Sequence, residues 1–257
     1  MANERDIFFL SKNYVSADDT ISASSGTLLL PRIYDQKFAS QWQSSGETAE
    51  TGYDTYIEII FNELTTATDR VIDTIVLQNI NLKDFKIQYF TGGAYADIAE
   101  AVFTTNAATG LRIKLAASIT TSKIKILMKA TIVTGQEKKI GEVWAMLESY
   151  CLSAILSTRT RRDENLSGLY RFGNGGAAKW FEWNKWGKTY QIKNITDTQL
   201  AALEAIFSAH SSFTFYENYT RDINSIHAVL WIGDFAGDDN PKIGVALNSV
   251  TLQLVEK

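Results

Sequence analysis

The stretch KWFEWNKWGKTYQI (residues 179–192) sets Trp180, Trp183 and Trp186 three residues apart, and aromatic faces so spaced suit stacking on a sugar or a base. Few other residues offer chemistry. GNGGAA at 173–178 is glycine-rich, but it lacks the lysine and Ser/Thr of a phosphate loop. The segment after it reads as a strand, not as a helix whose N-terminus would face a phosphate, so a turn is expected. DFAGDDN at 234–240 gathers three carboxylates without EF-hand spacing and reads as a polar hairpin loop. His210 and His227 have no Ser or Cys beside them in a nucleophile setting, and two histidines with one cysteine, Cys151, fall short of a zinc set. No pair among the 29 acidic residues is singled out for acid–base work. No catalytic centre, and so no enzyme, is expected.

Composition narrows the choices further. The chain has 257 residues, 45% of them hydrophobic and 21% charged, enough for a sizeable core and most naturally two domains. A net charge of −4 gives no basic footprint for nucleic acid. A single cysteine excludes an internal disulfide. The opening residues MANERDIFFLSKN lack the apolar run of a signal peptide or a membrane span, so synthesis and folding in a reducing cytoplasm are expected.

The elements that must position these residues are mostly strands. TYIEIIF (55–61), VIDTIVLQNI (71–80), DFKIQYF (84–90), LRIKLAA (111–117) and KIKILMKATIV (123–133) are rich in β-branched and aromatic residues. In the last, Ile124, Ile126 and Met128 alternate with Lys123, Lys125, Leu127 and Lys129, as a sheet with one buried face requires. Short strands without intervening helices predict a β-sandwich or jelly roll over residues 1–150. Residues 151–174, with the charged run STRTRRDENLSG, read as an irregular connection and solvated loop, with a partner-binding arm as the other reading.

The remainder, to residue 257, predicts a small α+β domain. NITDTQLAALEAIFSAH carries a capping box, Thr196 with Gln199, and an apolar stripe of Leu200, Leu203, Ile206 and Phe207 that would lie on an antiparallel sheet. In the tryptophan segment, strand parity places Trp186, Tyr190 and Ile192 toward that helix and leaves Phe181 and Trp183 on the opposite face. Large apolar patches are rarely left to water, so Phe181 and Trp183 are the candidates for a subunit interface.

Two resemblances add to this reading. From about Asp6 to Leu147, the landmarks IYDQKFASQWQSSG, TYIEIIF, IDTIVLQNINLKDFKIQYF and IGEVWAM resemble the galactose-binding-like (discoidin, factor 5/8 C-type) jelly roll. The resemblance implies an opening Asp35 and Trp42, a Glu142 in the last strand, and in some sugar-binding members a calcium near Asp35 and Glu142. Gln36 stands where that family usually has glycine. Arg32, Trp42 and Tyr53 are the candidate glycan contacts, with Trp42 also reading as core. From about Gly168 to Lys257, the helix ALEAIF followed by FTFYENYTRD and VLWIGDF resembles phage tail proteins of the tail-tube and distal-tail type. That implies a virion component at the distal tail or baseplate, made in a host bacterial cytoplasm. Its partners would be other tail proteins and copies of itself, in a hexameric ring in many relatives. The rival expectation is a carbohydrate-binding module for host-surface glycan. No cofactor is expected apart from the calcium that the jelly-roll resemblance implies.

Overall fold

A computed structural model gives the fold and describes residues 4–10, 13–35, 40–63, 65–171, 177–208, 213–218, 226–231, 237–240 and 247–256. The strands begin with β1 (Glu4–Leu10), β2 (Thr20–Ala23), β3 (Trp42–Gln43), β4 (Thr55–Ile60), β5 (Asn62–Glu63), β6 (Thr66–Ala67) and β7 (Arg70–Gln78). Next come β8 (Leu82–Thr91), β9 (Ala94–Phe103), β10 (Gly110–Thr121), β11 (Lys123–Thr131), β12 (Lys139–Ile140) and β13 (Glu142–Met146). The rest are β14 (Glu148–Arg171), β15 (Ala177–Ile195), β16 (Phe213–Asn218), β17 (Ile226–Trp231), β18 (Gly237–Asn240) and β19 (Leu247–Glu256). One 3-10 helix, Thr27–Ile33, and one α-helix, α1 (Asp197–Ser208), complete the described elements. The fold is mainly β, built of antiparallel sheets.

Residues Ser11–Glu148 form one compact unit, a β-sandwich. A five-stranded sheet, β2-β4-β11-β8-β9, packs on a three-stranded one, β10-β7-β13. Alternation fills the space between them. Ile57 and Ile59 of β4, Ile124, Ile126 and Met128 of β11, and Phe85 and Ile87 of β8 are fully buried, facing Ile75 and Leu77 of β7 and Val143 of β13. Each such side chain contributes about 1.5–3 kcal/mol relative to exposure. β9 follows no clean alternation: only Ile98 and Ala101 are buried, and its register with β8 shifts between Lys86 and Gln88. That bulge hides the strand from a period-2 reading. Before the 3-10 helix, Gly26 sits at φ 65, where a Cβ would collide with the Gln43 carbonyl oxygen, so only glycine fits.

The second unit combines Met1–Leu10 with the chain after Ser149, which corrects the expected division at residue 150. β1 belongs there because its backbone pairs with β16, from Asp6↔Asn218 to Leu10↔Thr214. The sandwich is therefore an insertion in the sequence of this second unit. The ladder runs β15-β14-β1-β16-β17-β19 and returns from β19 to β15, so it closes on itself. The connection expected over 151–174 is instead mostly strand. β14 pairs with β15 from Ile155↔Lys193 out to Arg171↔Ala177, with register shifts at Leu156/Thr158 and Leu166/Ser167. Charge made the run look like a loop, but Thr158 and Thr160 are strand formers, and the distant β15 supplies the ladder that no local window reveals. The predicted turn at GNGGAA lies largely outside the described residues, as does His210. Asp238 and Asp239, expected in a loop, stand in β18 opposite Ser249 and Asn248.

The capping box forms as expected: the Thr196 N–H donates to Gln199 Oε1 at 2.8 Å, and the Gln199 N–H donates to Thr196 Oγ1 at 3.3 Å. Asp197 in the first turn complements the helix dipole. Leu203 of α1 is buried, as are Tyr190, Ile192, Val250, Leu252 and Leu254 on the paired strands β15 and β19. Phe207 meets Trp231 edge to face at 5.3 Å.

Because β1 lies between β14 and β16, removing residues 1–10 should open the ladder and expose two strand edges. Scanning calorimetry of the shortened chain should show the transition of this unit lost or lowered and the transition of the sandwich retained. Two unchanged transitions would contradict the assignment of β1.

Candidate functional site

The incoming and outgoing chain of the sandwich are tied together by one side chain. Asn13 Oδ1 accepts from the Val15 N–H at 3.1 Å and from the Ala145 N–H at 3.0 Å. Its Nδ2 donates to the Val143 carbonyl at 3.3 Å, and the Tyr14 N–H donates to the Ala145 carbonyl at 2.9 Å. A segment before β2 is thereby laid along β13. Downstream, the Ser16 N–H donates to Asp19 Oδ2 at 2.8 Å, and the Asn62 N–H donates to Asp19 Oδ1 at 2.9 Å. Burial pushes the Asp19 carboxyl above its usual range, against the opposing pull of these two N–H groups. Asn62 Nδ2 also donates to the Asp18 carbonyl at 3.1 Å and to Thr20 Oγ1 at 2.9 Å.

These bonds frame a cleft of about 480 Å³ lined by Asn13, Tyr14, Ser16, Asp18, Asn62, Glu63 and Arg70. The Tyr14 ring rests edge to face on buried Phe61 at 6.5 Å, and the Arg70 guanidinium lies 5.5 Å from its centroid. Arg70 also donates to the Asn62 carbonyl at 3.1 Å and pairs with Glu63 at 3.6 Å. Asn13 and Asn62 serve the framework. Tyr14, Asp18 and the Arg70–Glu63 pair line the cleft toward a ligand: a half-buried aromatic ring, the guanidinium's remaining N–H donors and two carboxylates. A cleft of this size takes a small ligand. A second cleft, about 530 Å³, is lined by Gly26, Thr27, Leu28, Leu29, Gln43, Ser44, Ser45 and Glu137. It contains no aromatic ring, and Gln43 and Glu137 hydrogen-bond to each other.

The residues singled out from sequence do not converge. Trp42 is fully buried beneath the sheets, so its ring cannot stack on an outside sugar. Arg32 is exposed and donates to the Gln41 carbonyl at 3.3 Å. Tyr53 donates its hydroxyl to Asp84 at 2.7 Å, and burial with this acidic neighbour pushes its phenol up to about 12. Asp35 accepts from Ser40 Oγ through both oxygens, at 2.9 and 2.7 Å, and Glu142 is buried in β13. These are oxygen donors of the kind calcium prefers. Among the described residues, however, no three acidic, His or Cys side chains come together as a metal set. Phe181 and Trp183 lie in β15 opposite Ser167 and Leu166; their side chains fall outside the described set. Sequence reading missed Tyr14, Asn62 and Arg70. Their signal was slight: a tyrosine in the polar run NYVSADD, and an arginine opening a strand.

No protein-family profile matches the chain. No curated protein matches it. Solved structures similar to it over about half its length include carbohydrate-binding modules. A family 32 module from Clostridium perfringens in complex with galactose covers 54% of this chain and 98% of its own, with 14% identity and a TM-score of 0.41. A chitosan-binding module from a Paenibacillus sp. IK-5 chitosanase/glucanase covers 53% and 99%, with 17% identity and a TM-score of 0.41. A pectin-binding module covers 52% and 91%, with 18% identity and a TM-score of 0.39.

The cleft wall depends on Asp19 accepting two backbone N–H groups through its two oxygens. In Asp19→Asn, one N–H would face an amide NH₂ instead, at a cost of about 1–3 kcal/mol. Thermal melting at neutral pH should show the loss, and an unchanged melting temperature would refute the framing role.

Proposed function

We propose that the β-sandwich is a glycan-binding module and that its site is the Tyr14–Arg70 cleft. The observation that carries this reading is the convergence of a half-buried aromatic ring with a guanidinium and two carboxylates in one concavity. Sugars present apolar C–H faces to a ring and hydroxyls to such polar groups. On a printed array of neutral and N-acetylated oligosaccharides, the full chain should bind a defined subset. Tyr14→Ala and Arg70→Ala should each weaken that binding by about tenfold or more while leaving the fold intact. No binding by the natural chain, or binding indifferent to both changes, would sink the proposal.

A second reading concerns the other unit, as an assembling part of a phage tail or tail-like particle at the distal tail or baseplate. It is supported by the long hairpin. The ladder between β15 and β19 begins at Gly187↔Val255, and over 177–186 β15 pairs, among the described residues, with β14 alone. A strand edge that presents its backbone groups on one side of such a ribbon gains from a neighbour. Phe181 and Trp183 lie on this ribbon. Trp183→Ser should lower the native mass of the assembled protein without shifting its melting temperature. An unchanged mass with early melting would mean the residue serves its own subunit.

A further inference from the structure

The outward face of the five-stranded sheet carries a second constellation, separate from the cleft. Register sets Glu58, Lys125, Gln88 and Asp97 abreast across β4, β11, β8 and β9. Tyr56, Leu127 and Lys86 form the next row. Tyr95 of β9 reaches over the intervening strands to donate its hydroxyl to Glu58 at 2.5 Å, so its ring lies along the face.

The acidic groups here are already engaged. Glu58 accepts from Tyr95; Asp97 accepts from Gln88 at 2.6 Å and Lys86 at 3.0 Å; Asp84 accepts from Tyr53 at 2.7 Å and pairs with Lys129 at 3.1 Å. Two cations stand apart. Lys125 Nζ lies 4.1 Å from the Tyr56 ring centroid and 5.5 Å from that of Tyr95, and Lys123 Nζ lies 4.8 Å from Phe90. Among the described residues, neither lysine is within ion-pairing distance of a carboxylate. The rings hold both ammonium groups in place without consuming their N–H donors. Two residues apart on one strand face, the two lysines have Cα atoms roughly 6.8 Å from each other along β11.

We propose that this face binds an acidic polysaccharide, with carboxylate or sulfate groups on Lys123 and Lys125 and sugar rings against the neighbouring aromatics. Charge complementarity favours an anion, because Lys86 and Lys129 offset Asp97 and Asp84, Glu58 accepts the Tyr95 hydroxyl, and Lys123 and Lys125 together leave the face with a net positive charge. The sparse, aromatic-flanked pair suits a chain of sugars better than a polyphosphate, and the overall charge of −4 supplies no wider basic surface.

The test is native affinity electrophoresis of the full chain in gels containing polygalacturonate, dextran sulfate or unsubstituted dextran. Retardation by either acidic polymer, weakened by salt and reduced about tenfold in Lys123→Ala/Lys125→Ala, is the expected result. Which acidic polymer retards it distinguishes carboxylate from sulfate recognition. The double variant should melt normally and keep the oligosaccharide binding of the Tyr14–Arg70 cleft, so failure here is separable from failure of the cleft. Equal retardation by plain dextran, indifference of acidic binding to the double substitution, or tighter binding of a single-stranded oligonucleotide would overturn the proposal.

Discussion

The hydrogen bonds of Asn13 are the constraint on which the sandwich depends. One amide satisfies two N–H groups and a carbonyl on segments 130 or more residues apart in sequence. A buried backbone group without a partner costs about 1–3 kcal/mol, so the tie discriminates strongly against any other path for the incoming chain. It has two consequences. The ends of the sandwich lie side by side, which is what allows such a unit to sit within the sequence of another. The next residue, Tyr14, is also fixed over Phe61 and beneath Arg70, which turns the edge of a sheet into a cleft.

The outgoing end is fastened by charge as well. The Glu148 N–H donates to Asp73 Oδ1 at 2.8 Å, and the Glu148 carboxylate meets Arg112 and, at 3.6 Å, Lys114. Lys114 in turn pairs with Asp73 at 2.6 Å. Networks of partly buried charges hold geometry better than isolated surface pairs, and this one fixes the last residue of the sandwich unit. Lys138 plays a related part at another loop. It is almost wholly buried, and it donates to the Glu47 and Ala49 carbonyls at 2.8 and 2.6 Å. Burial lowers its pKa, while nearby Glu47, Glu50 and Asp54 oppose that shift.

Much of the fold was legible in the sequence because alternation is a local signal. Ile124, Ile126 and Met128 announce their burial, and Thr196 with Gln199 announces the start of α1. What was hidden depends on distant partners. The short apolar run of β1 has no local partner until β16 is found to pair with it, and the charged β14 looks like a loop until β15 is laid beside it. The candidate site was less legible still. Trp42 had two readings, a glycan contact and a core residue, and burial supports the core one. Tyr14 and Arg70 become neighbours only through the Asn13 tie and the start of β7, and no spacing between residues 14 and 70 encodes that.

A glycan held in the cleft framed by Asn13 and Asp19 must perturb the residues that line it. Amide chemical-shift mapping of the full chain, titrated with an oligosaccharide it binds, tests this most directly. The largest shifts should fall on Tyr14, Ser16, Asn62 and Arg70 and saturate together. Shifts confined to the Gly26–Ser45 cleft, with those four residues still, would contradict it.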